Sequence, residues 1–370
     1  MNVFQRILHR PFFIKLFNWE YWSFNAVYAW IIPIWLVLCL RARSFFFFSA
    51  SNPGIENGGF LLESKMKIYG LIPREYYPAS ILVEKGASPE QIMANIKSHG
   101  ISFPAIAKPD IGARGRGVKL LQHESELIPY LAHFPFPMIV QNFVPYENEV
   151  GIFYHRFPGQ EKGRISGIVT KEFLKVVGDG VSTIGELLGK SKRAILQLPV
   201  LHKMLGPEMQ TVLPDQFSKV LLPYGNHARG SLFLDESDRI DERLERAMDE
   251  ICKRIPGFYY GRLDIRFESW EKLKQGEAFS FIELNGAGSE PTHMYDPRHS
   301  LFFAWKEIVR HWLLLWKISR ANHRLGISYM PYREGMQMHR DTRAYDRLLE
   351  AAGDSELETA DDADAALAKL

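Results

Sequence analysis

Two short runs hold the densest chemistry in the chain, Gly261-Arg262-Leu263-Asp264-Ile265 and Phe281-Ile282-Glu283-Leu284-Asn285-Gly286. Both are apolar-rich and of strand length, and the segment between them, Ser269 to Glu277, supplies Lys, Gln, Gly and Glu as a hairpin loop does. Side chains alternate along a strand, so Arg262, Asp264 and Arg266 share one face of the first run, and Glu283 and Asn285 share a face of the second. Folding the segment about a point near Leu273 brings Asp264 close to Glu283. Two carboxylates and an amide oxygen then converge. Such a set suits Mg²⁺, which prefers oxygen ligands and keeps water or substrate phosphate in its shell. Standing alone, the same hairpin could be a solvated surface element, so its meaning depends on what lies upstream.

Upstream, Phe103 to Lys108 reads as a strand ending in a lysine, and Asp110-Ile111-Gly112-Ala113-Arg114-Gly115-Arg116-Gly117-Val118 follows. Glycines let backbone N–H groups approach phosphate oxygens, and a strand-end lysine adds a point charge. No Gly-Lys-Ser/Thr follows, which excludes a P-loop. Met138 to Val150 reads as strand, turn, strand, with Gln141, Asn142, Val144, Glu147 and Glu149 in or beside the turn. Earlier still, Glu63-Ser64-Lys65-Met66-Lys67-Ile68-Tyr69 opens an amphipathic helix.

In this order and spacing, from about Glu63 to Pro297, the segments resemble the ATP-grasp superfamily, on its D-alanine:D-alanine ligase, cyanophycin synthetase and glutathione synthetase side. The resemblance implies an α+β fold in which two subdomains sandwich ATP. It implies Mg²⁺, two ions, with Mn²⁺ as a substitute, on Asp264, Glu283 and Asn285. Arg262 would steady the transferring phosphoryl group. Lys65, or else Lys67, and Lys108 would hold the triphosphate beneath Gly112, Arg114, Gly115, Arg116 and Gly117. Gln141, Asn142 and Val144 would meet adenine, and Glu149, or else Glu147, the ribose. The family usually has Glu where Gln141 stands; the amide oxygen can still accept from the adenine amino group. Gly225-Asn226-His227-Ala228-Arg229-Gly230-Ser231 resembles an Asn-x-x-Arg-Gly segment that such ligases place near the triphosphate, which makes Arg229 a second catalytic candidate. Lys175 to Leu188 is similar to a cyanophycin and glutathione synthetase stretch. There Gly178 and Gly180 permit positive φ in a Gly-Asp-Gly turn, and Ser182 or Thr183 caps a helix with Glu186 in a capping box.

The reaction so implied is ADP-forming carbon–nitrogen ligation. A carboxylate attacks the γ-phosphorus of ATP, and an amine captures the acyl phosphate. Two other readings stay open: a phosphotransferase using the same ATP site, and a non-catalytic nucleotide-binding protein at a membrane surface.

The elements that must position these groups are unusual at the N-terminus, where the family places a full Rossmann-like domain. Residues 1–44 are aromatic and basic instead, with an apolar stretch from Phe24 to Leu40 interrupted by Asn25 and Pro33. Basic flanks and Trp/Tyr clusters fit a helix lying in the cytoplasmic interface better than one spanning it. Leu301 to Leu325 is also aromatic and basic, so that seven of the eight tryptophans fall in these two segments. They either pack on each other in place of the missing domain or form a membrane-facing platform for an amphiphilic substrate; both roles are compatible. Phe45 to Phe48 reads as a strand, and the Ser49–Gly59 loop after it is expected to touch substrate through Asn52 and Glu56. Ser289 and Glu290 are expected to do the same beyond the hairpin.

The domain organisation expected is 1–44 as the aromatic segment and 45–100 as a reduced N-terminal region. An ATP-grasp domain would follow over 101–325, with its lid about 101–145 and its metal-binding part about 146–325, then a partly disordered tail over 326–370. A formal charge of +2 gives no reason to expect nucleic acid. Two cysteines, Cys39 and Cys252, offer neither metal spacing nor a disulfide framework and fit a reducing cytosol. The partners expected are a carboxylate and an amine, small or amphiphilic, and the location is cytoplasmic, peripheral on the inner membrane face.

Overall fold

A computed structural model describes residues 10–112, 115–222, 227 and 230–367, the side chains of Leu222 and 353–367 excepted. The strands are, in chain order, β1 (Ser80–Val83), β2 (Ala105–Pro109), β3 (Lys119–Leu121), β4 (Met138–Asn142), β5 (Asn148–His155) and β6 (Arg164–Glu172). They continue as β7 (Leu174–Val177), β8 (Ser218–Leu222), β9 (Leu232–Asp235), β10 (Tyr260–Phe267) and β11 (Phe279–Asn285). A four-stranded sheet runs β1-β4-β2-β3 and a five-stranded sheet β11-β10-β5-β6-β9, all pairs antiparallel; β7 and β8 form a small hairpin. The α+β class expected from the sequence is present, and Lys108 of β2 in the small sheet reaches across to Ile282 of β11 in the large one.

Each sheet has its own core. Beneath the large sheet, the helix Glu242–Lys253 repeats Leu244, Met248, Ile251 and Cys252 on one face and lays them against Ile152, Leu263 and Phe281. Over the small sheet, the helix Pro89–Ser98 starts in a Ser88/Gln91 capping box and buries Ile92 and Ile96 against Ala105, Ala107 and Val140. β1, which begins at Ser80 ahead of the expected boundary at 101, pairs with β4 at the edge of the small sheet. The Gly178–Gly180 turn leads from β7 into the helix Ile184–Leu188, with Thr183 as cap and Glu186 closing the capping box; Gly180 has the expected positive φ, whereas Gly178 does not and is instead kept small by Pro214 O, 2.1 Å from an added Cβ.

Three expectations are corrected. The Phe24–Leu40 stretch is two helices, Phe24–Tyr28 and Ile32–Ala42, because Pro33 has no N–H to donate and fits only the first turn of the second. Among the described residues no helix is long and apolar enough to cross a membrane. Phe45 to Phe48 is not a strand: a 3₁₀ turn over Phe47–Ala50 drives Phe47 and Phe48, together with Phe46 before it, into a core with Leu38, Leu315 and Ile318. An alternating strand would have sent one ring of each pair outward. Finally, the first half of the expected tail is ordered. The helix Tyr332–Leu367 carries Met338, Tyr345, Leu349 and Ala352 at helical spacing, the first in the core under Phe46 and the others against the small sheet. The helix therefore ties the N-terminal core to the small sheet.

Candidate active site

The hairpin closes in the expected register, although a short helix, Trp270–Lys274, sits inside its loop. Arg262 lies opposite Asn285 and Asp264 opposite Glu283, with a bulge just after Asp264. On the other side of β10, Asp264 faces Gly151 of β5, where an added Cβ would lie 3.1 Å from Asp264 Oδ1 and 2.8 Å from Val169. Only glycine leaves room for that carboxylate.

Cations crowd this corner. Arg262 donates to both Asp264 oxygens, at 3.0 and 3.1 Å. Lys171 of β6 lies 3.2 Å from Asp264 Oδ1 and 2.9 Å from Glu149 Oε1. Lys65, first residue of the helix Lys65–Leu71, lies 3.4 Å from Glu283 Oε1 and donates to the carbonyl of Gly112 at 2.8 Å, joining hairpin to glycine loop. Burial favours neutral carboxyls, yet Arg262 and Lys171 hold Asp264, and Lys65 holds Glu283, below the usual carboxylate range. Burial likewise opposes the Lys171 charge, but Asp264 and Glu149 keep it above its ordinary value.

Lys108 differs from these. Its ammonium is buried and donates to Tyr69 Oη at 2.8 Å, Gln141 Oε1 at 3.0 Å and Ile282 O at 3.2 Å, all neutral acceptors. Burial pushes it down to about 8 despite Glu283 and Asp110 nearby.

The remaining expected residues divide. Gly112, Gly115 and Gly117 all have positive φ, the backbone form expected of such a loop. Arg116 reaches away, to Glu350 on the C-terminal helix at 3.1 Å. Gln141 already has its amide oxygen on Lys108 and its amide nitrogen on Ser80. Asn142 turns to Ser102 N and Gly100 O, and the carbonyl of Val144 accepts from Arg266. Glu149 is committed to Lys171 and Arg266, and Glu147 is exposed. Lys67 is exposed and pairs with Glu56, which favours Lys65 for the cleft. Arg114 and Arg229 lie outside the described residues.

Asn52 is corrected outright. Fully buried, it donates to Gly58 O and Tyr260 O and accepts from Tyr259 N and Tyr260 N, so nothing is left for substrate. Its loop clamps the end of β11 through Ala287 N to Gly58 O and Gly288 N to Gly59 O, each 2.9 Å. Gly59 (φ 74°) lies so near Gly286 that an added Cβ would sit 2.7 Å from its Cα. Ser289 is spent on the carbonyls of Asn285 and Gly286.

Glu290 opens a second cluster that sequence reasoning largely missed. Its carboxylate accepts from Tyr28 Oη at 2.6 Å and Tyr295 Oη at 3.3 Å, while its carbonyl accepts from Arg262 at 3.3 Å. Tyr295 stacks on Trp19 and on His227, and His227 lies 3.1 Å from the buried Glu20, which Arg193 also pairs. The N-terminal segment thus borders the hairpin through Glu290 and Tyr295. A signal existed for Glu20, the sole acid between Arg10 and Phe45. For Lys171 it was a lysine closing the apolar run Ile168-Val169-Thr170.

Two ionised carboxylates and an amide oxygen on paired strand positions fit a hard divalent cation in donor chemistry. Among the described residues there is no group of three or more His, Cys, Asp or Glu arranged for a metal, so the set would need substrate oxygens or water to complete it.

No family model matches the chain, and no curated protein matches it. Solved structures do. A bifunctional glutathione synthetase from Pasteurella multocida matches at 16% identity and TM-score 0.37, over 64% of this chain and 34% of that one. VanG D-Ala:D-Ser ligase from Enterococcus faecalis matches at 14% and 0.39, over 68% and 61%. D-alanine–D-alanine ligase from Bacillus anthracis matches at 13% and 0.39, over 71% and 69%. The aligned part is thus about a third of the synthetase's length and under two thirds of the VanG enzyme's.

Proposed function

We propose that the protein is an ATP-dependent, ADP-forming carboxylate–amine ligase. The observation that carries this reading is the corner where Lys65, Lys108, Lys171 and Arg262 converge on Asp264 and Glu283. Buried ammonium groups are costly unless compensated, and Lys108 has only neutral hydrogen-bond partners, which suits a polyanion such as a triphosphate.

In this mechanism Lys65 and Lys108 draw the triphosphate between the glycine loop and β11. A substrate carboxylate oxygen forms a bond to the γ-phosphorus as the bond to ADP breaks. The amine nitrogen then bonds to the acyl carbon, phosphate departs, and the nitrogen gives up a proton. Arg262, bidentate on Asp264 at rest, supplies a fixed cation beside the charge that builds on the transferring group. Mg²⁺ held by Asp264, Glu283 and Asn285 would neutralise phosphate oxygens when bound. Glu290, oriented by the Tyr28 and Tyr295 hydroxyls and tied to Arg262 through its carbonyl, is the group that would hold an ammonium on the acceptor side. Because Trp19, Tyr28 and Tyr295 line that wall, at least one substrate is proposed to be amphiphilic.

The test is phosphate release from ATP with pooled acids and amines, each left out in turn. Release needing both supports the ligase. Release with the acid or a hydroxyl compound alone would make the protein a phosphotransferase, and the ligase reading would be abandoned.

A further inference from the structure

The helices Phe24–Tyr28 and Ile32–Ala42 are two-faced in a way that the site does not explain. Their inner sides bury Val27, Tyr28, Leu38 and Cys39, which pack with Ala304, Ile308, Leu315 and Ile318 of the helix Leu301–Arg324. Trp305 and Trp316 lock the pair by donating to the carbonyls of Val27 and Leu38 at 2.8 and 3.0 Å. Their outer side is also apolar. Ile32, Leu36, Val37 and Leu40 recur at helical spacing in solvent, and Trp30 and Leu40 are 75% and 74% exposed. Phe12, Phe17 and Phe302 add exposures of 69%, 67% and 77% on neighbouring segments. Isolated exposed apolar residues are ordinary, but four at helical spacing on one helix, with exposed rings on the neighbouring segments, mark an interaction surface.

Charge identifies the occupant. Between Arg10 and Leu325, the two aromatic segments 10–45 and 301–325 hold two acids, Glu20 and Glu307. Both are buried and ion-paired, Glu20 with Arg193 and His227, Glu307 with His293 and Arg310. The exposed charges left on these segments are all positive: Lys15, Arg41, Arg43, Lys306 and Lys317 among them. Exposed rings and aliphatic chains on two segments whose exposed charges are all positive match the apolar boundary and anionic headgroups of a bilayer.

We propose that this outer face docks the protein in the surface of a membrane bearing anionic lipids, lying in it and not crossing it. The helices that dock are the ones whose inner side carries Tyr28 to Glu290, so an amphiphilic substrate reaches the cleft from the membrane side. Docking is read without ATP, so its outcome is independent of the ligase reading.

The experiment is co-sedimentation of the full chain with phosphatidylcholine vesicles, with and without phosphatidylglycerol, alongside intrinsic tryptophan emission. Binding that strengthens with phosphatidylglycerol, weakens with salt and shifts emission to the blue is expected. Trp30→Ser with Leu40→Ser, both exposed and so tolerated by the fold, should weaken binding at least tenfold. Arg41→Gln with Arg43→Gln should weaken it roughly fivefold per charge on anionic vesicles. A chain that stays in the supernatant with both vesicles, or a Trp30/Leu40 double variant that binds as tightly as the parent, overturns the proposal. So does a vesicle-free dimer that the same double variant converts to monomer, because the face would then belong to a second copy.

Discussion

Around the hairpin, on the side proposed to hold the triphosphate, charged groups occupy facing positions of paired strands: Asp264 opposite Glu283, Arg262 opposite Asn285, and Lys171 from a strand two places along the sheet. On the side proposed to take the acceptor, Glu290 is met by a tyrosine 262 residues earlier in the chain, and Glu20 by Arg193 and His227 from two further segments. Sheet register builds the first side; packing of an aromatic N-terminal segment onto a long helix builds the second. A charge lost from the hairpin side therefore strands a neighbouring charge, as loss of Glu20 would on the second side, whereas a change at Tyr28 removes one hydroxyl from a surface held mainly by ring packing.

The broadest test of this contrast removes residues 1–43. Val27, Tyr28, Ile31, Leu38 and Cys39 are all buried, so the truncated chain should lose cooperative unfolding in circular dichroism; a soluble, active remainder would show the segment to be dispensable. Within the hairpin side, Asp264→Asn and Glu283→Gln should differ. The first leaves Arg262 and Lys171 buried without their shared carboxylate and should cost about 3–5 kcal/mol of stability in denaturant melts. The second, whose side chain is a third exposed, should keep the fold and lower turnover by about 10²–10³. Equal destabilisation by both would erase the distinction.

A smaller effect follows from Lys108. Its ammonium titrates near 8, so ATP affinity should hold below that pH and fall roughly tenfold by about pH 9, while Lys108→Gln binds weakly with a flat profile. Stability runs the other way: between about 8 and the ordinary lysine range the unfolded chain binds more protons, so unfolding becomes harder as pH rises. Calorimetry at several pH values separates the two trends. Smallest is Tyr28→Phe, which removes one hydroxyl from Glu290 and should raise KM for one substrate roughly fivefold with little change in kcat. A fall in kcat alone would move Tyr28 from substrate binding to the chemistry.

The same contrast accounts for what the sequence disclosed. Period-two spacing placed Asp264 and Glu283 together because strand geometry maps spacing onto space, and Lys65 and Lys108 were legible as the first helical residue and a strand-end lysine. Lys171 was missed because its partners are set by the neighbouring strand. Asn52 misled for a related reason: a polar residue in a glycine-rich loop looks available, and only the fold shows its amide consumed by the backbone of Tyr259 and Tyr260. Met338, Tyr345, Leu349 and Ala352 did keep a helical period, but the acidic, alanine-rich composition from about Ala351 to Ala366 reads as a loose tail.

The central claim is most directly met by following ADP and phosphate release from Mg-ATP with the full chain, a pool of acids and a pool of amines. The account predicts release that requires both pools and disappears in Glu283→Gln. Release that is indifferent to the amine, or unchanged in Glu283→Gln, would contradict it.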